Sequence, residues 1–167
     1  GAFAEAMLRL SNLKLDDCII RFVETGKPFV GICLGLQLLF EKSEEFGSHK
    51  GLGLIKGIVK KFKFKTDANI KYPVPQVGWN MIQQKNMIWD QTPLSKIQDK
   101  AFMYFVHSYY VVPNDKNVIL STTTYGDQEY CSSVHHNNIF ATQFHPEKSG
   151  KIGLRVYHNL KSILGNR

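Results

Sequence analysis

Residues 28–47 read PFVGICLGLQLLFEKSEEFG, and this stretch decides the fold class. PFVGIC predicts a short buried strand, because a brief apolar run ends at a tight glycine turn. LQLLFEKSEEF predicts the helix that follows, and Gly47 predicts where that helix ends. A strand, a glycine turn and a helix in succession are the parts of an α/β unit. The sequence therefore predicts an α/β domain.

The elements on either side extend this prediction. Apolar residues at helical spacing predict helix within 3–25, with a break near 11–14 and an end at Gly26 and Pro28. A helical pattern over 150–164 predicts a closing helix. The remaining signals favour strands, joined in part by a loop over 65–76, and they fall at 54–64, 77–82, 102–112, 118–125, 130–136 and 139–145.

Length and composition indicate one domain. The chain has 167 residues, of which 43% are hydrophobic, and no linker divides it, so we expect a single domain over 1–167. The longest apolar run, at 29–40, is too short to cross a bilayer. The first ten residues lack the basic leader and long apolar core of a signal peptide. We therefore expect a soluble protein that has no membrane partner.

The cysteine pattern bears on compartment and on metal binding. Cys18, Cys33 and Cys131 are widely spaced and include no C-x-x-C pair. This spacing argues against a disulfide framework and against a zinc site. It indicates a reducing compartment, the cytoplasm, where a thiol is free to react. We expect no bound metal.

The net charge of +7 raises the question of nucleic acid. The lysines are scattered, and their tightest cluster, KKFKFK at 60–65, alternates with phenylalanine. Such alternation is typical of one solvated face of a strand. The sequence carries no basic stripe and no nucleic-acid-binding motif, so we expect no nucleic-acid partner.

Residues 31–35 read GICLG, which has the G-x-nucleophile-x-G form of a strand-to-helix elbow. Such a turn strains the backbone of the nucleophile, and the flanking glycines remove side chains that would collide there. At the first turn of the next helix, Cys33 would also lie near the positive end of the helix dipole, which favours thiolate. A packed turn without catalysis is the alternative for so short a motif.

The stretch FHPEK at 144–148 separates an imidazole from a carboxylate by one proline. In an extended strand, His145 and Glu147 would leave the same face, and Pro146 favours that geometry. A carboxylate beside an imidazole can fix its tautomer and stabilise its protonated form. Each residue alone could be a structural histidine or a surface charge. Together with Cys33, they supply a nucleophile, a base and an orienting acid.

These residues resemble the class I glutamine amidotransferases, whose glutaminase domains use a Cys-His-Glu triad with the cysteine on a G-x-C-x-G elbow. The resemblance covers essentially the whole chain and implies a flavodoxin-like open sheet. It also implies that opening strands of the family precede Gly1, so we expect a domain that is incomplete at its amino terminus. The matching blocks, in the order of the family, are 27–47, 51–57, 75–80, 104–110, 125–126 and 143–153.

Carried over position by position, the resemblance implies Cys33 as nucleophile, His145 as base and Glu147 as the orienting acid. The amide of Leu34 and the loop that ends at Gly1 would form the oxyanion hole. The other implied glutamine-binding residues are Gln37, Glu45, His107, Ser108 and Tyr109.

The implied reaction is the hydrolysis of L-glutamine to glutamate and ammonia through a glutamyl thioester, without a cofactor. Within the family, the match is to members that serve histidine biosynthesis as heterodimers with a (β/α)₈ cyclase subunit, which receives the ammonia. Trp79, Asn80 and Lys148 match positions near that interface. A tryptophan that follows glycine is also commonly packed inside its own domain.

Other hypotheses stay open at this point. Paralogues with the same glutaminase residues supply ammonia for amidino-sugars of surface polysaccharides. An inactive amidotransferase-like binding module would keep the fold, although the complete triad argues against it. A cysteine protease would also use cysteine and histidine, but it would not account for HSYY at 107–110 or GWN at 78–80.

Overall fold

The computed structural model describes residues 3–64, 72–85 and 87–165. The predicted helical region 3–25 forms two helices, α1 (Phe3–Asn12) and α2 (Leu15–Glu24), and the break between them is confirmed. Lys14 lies in the left-handed region at φ 54°, which turns the chain from one helix into the next. A short helix, α3 (Leu34–Leu38), follows the elbow, and α4 (Gly150–Gly165) closes the chain as predicted.

The strands lie between these helices. In chain order they are β1 (Phe29–Ile32), β2 (Phe40–Ser43), β3 (His49–Lys50), β4 (Ile55–Lys61), β5 (Gln76–Met81), β6 (Gln83–Gln84), β7 (Phe102–His107), β8 (Tyr109–Pro113), β9 (Ile119–Tyr125), β10 (Gln128–His136) and β11 (Ile139–Thr142). Each predicted strand region contains at least one of them. Of the predicted loop 65–76, residues 65–71 lie outside the described residues, and Gln76 already belongs to β5.

The prediction of a helix over 36–46 is wrong beyond its first turn. The helix α3 ends at Leu38, and residues 40–43 form β2, which pairs in parallel with β4. Leu36, Leu39 and Phe40 are fully buried, so this segment turns from helix to strand inside the core. The hydrogen bonds of β2 go to a strand that is distant in sequence, and helical periodicity carries no information about such a partner.

A large mixed sheet holds most of the strands in the described part of the chain. Its order is β1-β11-β10-β8-β4-β2-β3, and β9 pairs with β10 and β6. The pairs β1–β11 and β2–β4 are parallel, and the other pairs of the large sheet are antiparallel. In the first of these pairs, Ile32 lies opposite Thr142, so the residues after both strands emerge at the same edge.

A two-stranded antiparallel sheet of β5 and β7 stands apart from the large sheet. The predicted strand 102–112 is therefore two strands, because the chain leaves β7 at His107 and enters the large sheet at Tyr109. Ser108 lies at this crossover. The alternation of buried and less buried residues runs through Ser108 without a break, and only the pairing partners reveal the change of sheet.

Two apolar clusters fill the interior on either side of the large sheet's strands. One joins α1 and α3 to the sheet and includes Phe3, Leu36 and Val111. The other lies under the small sheet and α4, and it includes Phe105 and Val156. In the KKFKFK stretch, Lys60, Lys61 and Lys63 are exposed and Phe62 is buried in the second cluster. The predicted strand face covers only its start, because β4 ends at Lys61, and residue 65 lies outside the described residues. Within the described ranges, no helix combines the length and apolarity needed to cross a membrane.

Candidate active site

Cys33 lies at the turn between β1 and α3 in a strained backbone conformation, with φ 53° and ψ −103°. A positive φ is uncommon for a residue other than glycine, and the sequence predicted such strain at this elbow. The Cys33 N–H donates to the carbonyl of Thr142 at 2.7 Å, which fastens the elbow to the end of β11. A Cβ atom on Gly31 would lie 2.9 Å from the carbonyl carbon of Gly35, so the turn excludes a side chain there.

Burial outweighs the predicted electrostatic effect of α3 on Cys33. Burial raises the pKa of the Cys33 thiol, and hydrogen bonds from the Leu34 N–H and the Gln143 side chain offset only part of that effect. The predicted benefit of the helix dipole is small, because α3 has only five residues. The thiol therefore depends on nearby hydrogen-bond donors to reach its reactive form.

His145 and Glu147 form the expected imidazole–carboxylate pair. The His145 Nδ1 atom lies 2.6 Å from Glu147 Oε1. The predicted extended strand is wrong here, because Pro146–Lys148 form a 3₁₀ turn that follows an extended His145. Proline suits the first position of a helical turn, since its φ is preset and it has no N–H to satisfy. The turn brings the two side chains together on one side of the chain.

The His145 imidazole makes no hydrogen bond to the thiol in the described structure. The Nε2 atom of His145 is buried and has no hydrogen-bond partner among the described residues. The negative charge of Glu147 nevertheless raises the pKa of Cys33, so the two groups lie within electrostatic reach of each other. In structures without substrate, catalytic hydrogen bonds are often long and shorten only in the complex. An unpaired ring nitrogen near the thiol suits a general base.

A cavity of about 380 Å³ opens beside the sulfur atom. The predicted substrate residues in the described part of the chain all line it together with Cys33, and they are Leu34, Gln37, Glu45, His107, Ser108 and Tyr109. Gly1, the remaining predicted residue, lies outside the described residues. Pro75 and Val106 also line the cavity; both lie within the matching blocks 75–80 and 104–110, but neither was predicted as a substrate residue. Residues from three separate stretches of the chain therefore meet around one thiol.

Gln37 and Glu45 are buried at this cavity and are held by protein contacts. The Gln37 Nε2 group donates to the Tyr109 carbonyl at 2.9 Å and to Gln143 Oε1 at 3.1 Å. The Glu45 carboxylate accepts a hydrogen bond from the Phe3 N–H at 2.8 Å, at the start of α1. These contacts fix both side chains, and the second one ties the start of α1 to the cavity.

His107 is a buried histidine in the cavity wall. Its Nδ1 lies 2.9 Å from the Tyr109 carbonyl, and since a carbonyl can only accept, Nδ1 carries the proton. Burial lowers the pKa of His107 to about 4, with a small further contribution from the nearby His145. His107 is therefore neutral at physiological pH.

Of the predicted interface residues, Trp79 lies on the outer face of the small sheet and Lys148 lies next to it. Trp79 is 55% exposed, so the alternative of a tryptophan packed inside its own domain is wrong. Its ring meets Tyr104 edge-on at 6.2 Å, and the Lys148 ammonium lies 5.9 Å from the centre of the Tyr104 ring. Asn80 differs, because its side-chain amide donates to the Thr124 carbonyl at 2.8 Å within the chain. Trp79 and Lys148 thus border one surface.

Comparison with known proteins places these observations in a family. The family model for Glutamine amidotransferase class-I matches residues 13–159. The chain belongs to this family. It is similar to the imidazole glycerol phosphate synthase subunit HisH of Aquifex aeolicus, with 47% identity over 96% of this chain and 73% of the relative. The HisH subunit of Geobacillus kaustophilus is 42% identical over 100% of this chain and 77% of the relative.

Solved structures agree on the fold. A crystal structure described as a glutamine amidotransferase has a TM-score of 0.67 and 16% identity, and it covers 99% of this chain and 76% of that one. The structure of PurLQS from Thermotoga maritima has a TM-score of 0.62 and 21% identity, covering 92% of this chain and 68% of that one. The predicted α/β sheet of the class I amidotransferase type is confirmed. Within the described residues, no group of three or more potential ligands is arranged to hold a metal ion.

The buried His107 of this amidotransferase predicts an acid-sensitive fold. Its folded-state pKa of about 4 lies below the ordinary value of about 6.5, so the unfolded chain binds the extra proton first as pH falls. Stability is therefore full above about pH 6.5 and is lost as pH falls toward 4. Between pH 7 and pH 5, His107 should account for a loss of about 2 kcal/mol in the free energy of unfolding.

The measurement is urea denaturation at pH 7 and pH 5 for the natural protein and two variants. His107→Gln should remove most of this pH-dependent loss. The exposed His158 provides the matched control, and His158→Gln should behave like the natural protein. An unchanged pH dependence in His107→Gln would contradict the assignment.

Proposed function

We propose that this chain is the glutaminase subunit of an imidazole glycerol phosphate synthase, in which Cys33, His145 and Glu147 form the catalytic triad. The cavity beside Cys33, lined by polar groups suited to an amino acid, carries the proposal for the chemistry. Identity of 39–47% to HisH subunits from several bacteria supports the choice of synthase. We propose further that residues 1–167 belong to one glutaminase domain that acts in the cytoplasm and needs no cofactor.

In the first half-reaction, His145 Nε2 takes the proton of the Cys33 thiol, and Cys33 Sγ attacks the side-chain carbonyl carbon of glutamine. The C–N bond breaks, His145 gives its proton to the leaving nitrogen, and ammonia departs while a glutamyl thioester remains on Cys33. Glu147 holds the imidazole by its Nδ1 atom, which leaves Nε2 free for proton transfer. The unpaired Nε2 observed here is the atom that this step uses.

In the second half-reaction, water hydrolyses the thioester. His145 removes a proton from the water, the new C–O bond forms, the C–S bond breaks, and glutamate leaves. Both steps pass through a tetrahedral oxyanion that needs N–H donors. The Leu34 N–H, which already faces the Cys33 sulfur, is one such donor, and the loop that ends at Gly1 is the proposed source of the other. Losing a donor of this kind typically lowers the rate by ~100–1000-fold.

Ammonia produced at Cys33 must reach a second active site before it escapes into water. We propose that a (β/α)₈ cyclase subunit receives it and docks on the outer face of the small sheet. This face is apolar and exposed, and its exposed apolar side chains are Val77, Trp79, Met81 and Phe102. Contiguous exposed apolar residues of this kind mark protein–protein interaction sites. Lys148 directly follows the proposed triad acid Glu147 and borders the same face. Docking of the partner there would therefore contact a residue next to the active site.

The first prediction from this proposal concerns turnover. The full-length protein with its cyclase partner and the partner's nucleotide ligand should release glutamate and ammonia from glutamine, and Cys33→Ala should abolish the release because the nucleophile is gone. Glu147→Gln should lower kcat on the order of 10⁴-fold, as loss of the orienting carboxylate does in other triads. A coupled glutamate assay measures both effects.

The exposed Cys18 on α2 gives the matched control for this assay. Cys18→Ser should keep full activity, since this thiol is exposed on α2 and does not line the cavity beside Cys33. Turnover that survives in Cys33→Ala, or that disappears in Cys18→Ser, would refute the assignment of the nucleophile.

The second prediction concerns the partner. Trp79→Ala should weaken binding of the cyclase subunit by about 2 kcal/mol, because exposed tryptophans at the centre of an interface contribute strongly to affinity. Isothermal titration calorimetry gives the value directly. Leu13→Ala, which truncates a side chain that is 68% exposed at the end of α1, should leave the affinity unchanged. Equal losses in both variants, or none in Trp79→Ala, would place the interface elsewhere.

A further inference from the structure

Gln143 is a fully buried polar side chain that contacts the nucleophile. Its Nε2 group lies 3.6 Å from Cys33 Sγ, within the range of a hydrogen bond to sulfur. Its backbone N–H donates to the Ser132 carbonyl at 2.8 Å, which anchors the residue on β10. Gln143 lies two residues before His145, yet neither the triad nor the proposed substrate contacts use it.

The orientation of the Gln143 amide follows from its neighbours. The Tyr109 carbonyl can only accept, so Gln37 must turn its NH₂ group toward it. The same NH₂ group then faces Gln143 across 3.1 Å, and Gln143 must present its oxygen to it. The NH₂ group of Gln143 is therefore left to face Cys33 Sγ. This series of hydrogen bonds therefore places an N–H donor, rather than the amide oxygen, against the Cys33 sulfur.

The Tyr109 carbonyl, where this series of hydrogen bonds begins, is itself held in place. The Tyr109 carbonyl accepts from both Gln37 Nε2 and His107 Nδ1, each at 2.9 Å. His107 is neutral and buried, so it holds the carbonyl without bringing a charge near the thiol. On its other side, the unprotonated His107 Nε2 lies 3.3 Å from the Tyr130 hydroxyl oxygen, whose proton goes to Gln76 Oε1. The orientation of Gln37, and with it that of Gln143, is thus fixed at the Tyr109 carbonyl.

We propose that Gln143 is a hydrogen-bond donor that holds Cys33 Sγ in place and stabilises its thiolate, and that Gln37 is the positioning residue that orients Gln143. The inference deepens the proposed glutaminase function and rests on Cys33 being its nucleophile. It also gives Gln37 a role beyond contact with glutamine, since both hydrogens of its amide are used within the protein.

This donor matters at two points of the proposed reaction. Before attack, it favours the ionised sulfur against the burial that raises the pKa of Cys33. In thioester hydrolysis, the C–S bond breaks and its electron pair returns to sulfur, and the same N–H group stabilises the departing thiolate. Hydrogen bonds to charged groups are the strong ones in proteins.

Other groups also act on the thiol and must be held constant in a test. Glu147 raises the pKa of Cys33, whereas Lys148 and the Leu34 N–H lower it. The further titratable groups that line the same cavity are Glu45, His107 and Tyr109, and His145 lies near them. Substitution of Gln143 leaves all of these groups in the protein.

The test measures the pKa of Cys33 from the pH dependence of its alkylation by iodoacetamide, followed by mass spectrometry of the peptide that contains it. The full-length protein is used in a Cys18→Ser background, which removes the exposed thiol. In Gln143→Leu, the pKa should rise by about one unit or more, so alkylation at pH 7 should slow roughly tenfold. In Gln143→Glu, which keeps the shape and loses the NH₂ donor, the slowing should be larger. Gln37→Leu should shift the pKa in the same direction by a smaller amount.

Thr92 provides the matched control, because it is also a buried polar residue, its hydroxyl donates to the Trp89 carbonyl at 2.8 Å, and it does not line the cavity beside the sulfur. Thr92→Val should leave the pKa of Cys33 unchanged, and thermal unfolding of each variant establishes that it is folded. An unchanged pKa in Gln143→Leu and Gln143→Glu overturns the proposal, as does an equal shift in Thr92→Val.

The assay contains no glutamine and requires no turnover. A natural protein that fails to hydrolyse glutamine therefore refutes the proposed function, whereas the comparison of pKa values decides the role of Gln143 separately.

Discussion

The parallel pairing of β1 with β11 is the constraint on which the site depends. Because Ile32 lies opposite Thr142, the elbow after one strand and the segment that begins with Gln143 after the other leave the sheet at the same edge. The hydrogen bond from the Cys33 N–H to the Thr142 carbonyl at 2.7 Å closes this junction. The proposed nucleophile Cys33 is thereby brought to the same edge as Gln143 and the proposed base His145, although more than a hundred residues separate it from them in sequence.

The site balances burial against reactivity. The apolar surroundings that shape the cavity also raise the pKa of Cys33 and lower that of His107. For His107 the result is a neutral wall that fixes the Tyr109 carbonyl. For Cys33 the result is a thiol that ionises less readily. The N–H groups of Leu34 and Gln143 lower the pKa of this thiol and so offset part of the effect of burial. A buried nucleophile of this kind depends on the hydrogen bonds around it more than on a helix dipole.

Local sequence features predicted much of the fold and the candidate site, and non-local ones account for the rest. The glycine elbow and the single-residue spacing of His145 and Glu147 are local, so the strained cysteine and the imidazole–carboxylate pair could be predicted from them. The change from α3 to β2 and the crossover at Ser108 depend on strand partners far along the chain. The sign of the pKa shift at Cys33 depends on burial, and the role of Gln143 depends on a chain of contacts. No local sequence pattern therefore indicates the change from helix to strand, the crossover, the direction of the pKa shift or the role of Gln143.

The central claim is the proposal that Cys33 is the nucleophile of a glutaminase, and covalent labelling tests it most directly. The full-length protein is treated with a chloroketone analogue of glutamine, with and without excess glutamine, and the adduct is mapped by mass spectrometry. The account predicts one adduct per chain, on Cys33, that glutamine suppresses. Labelling of the exposed Cys18 instead, or no labelling of Cys33 in folded protein, would contradict it.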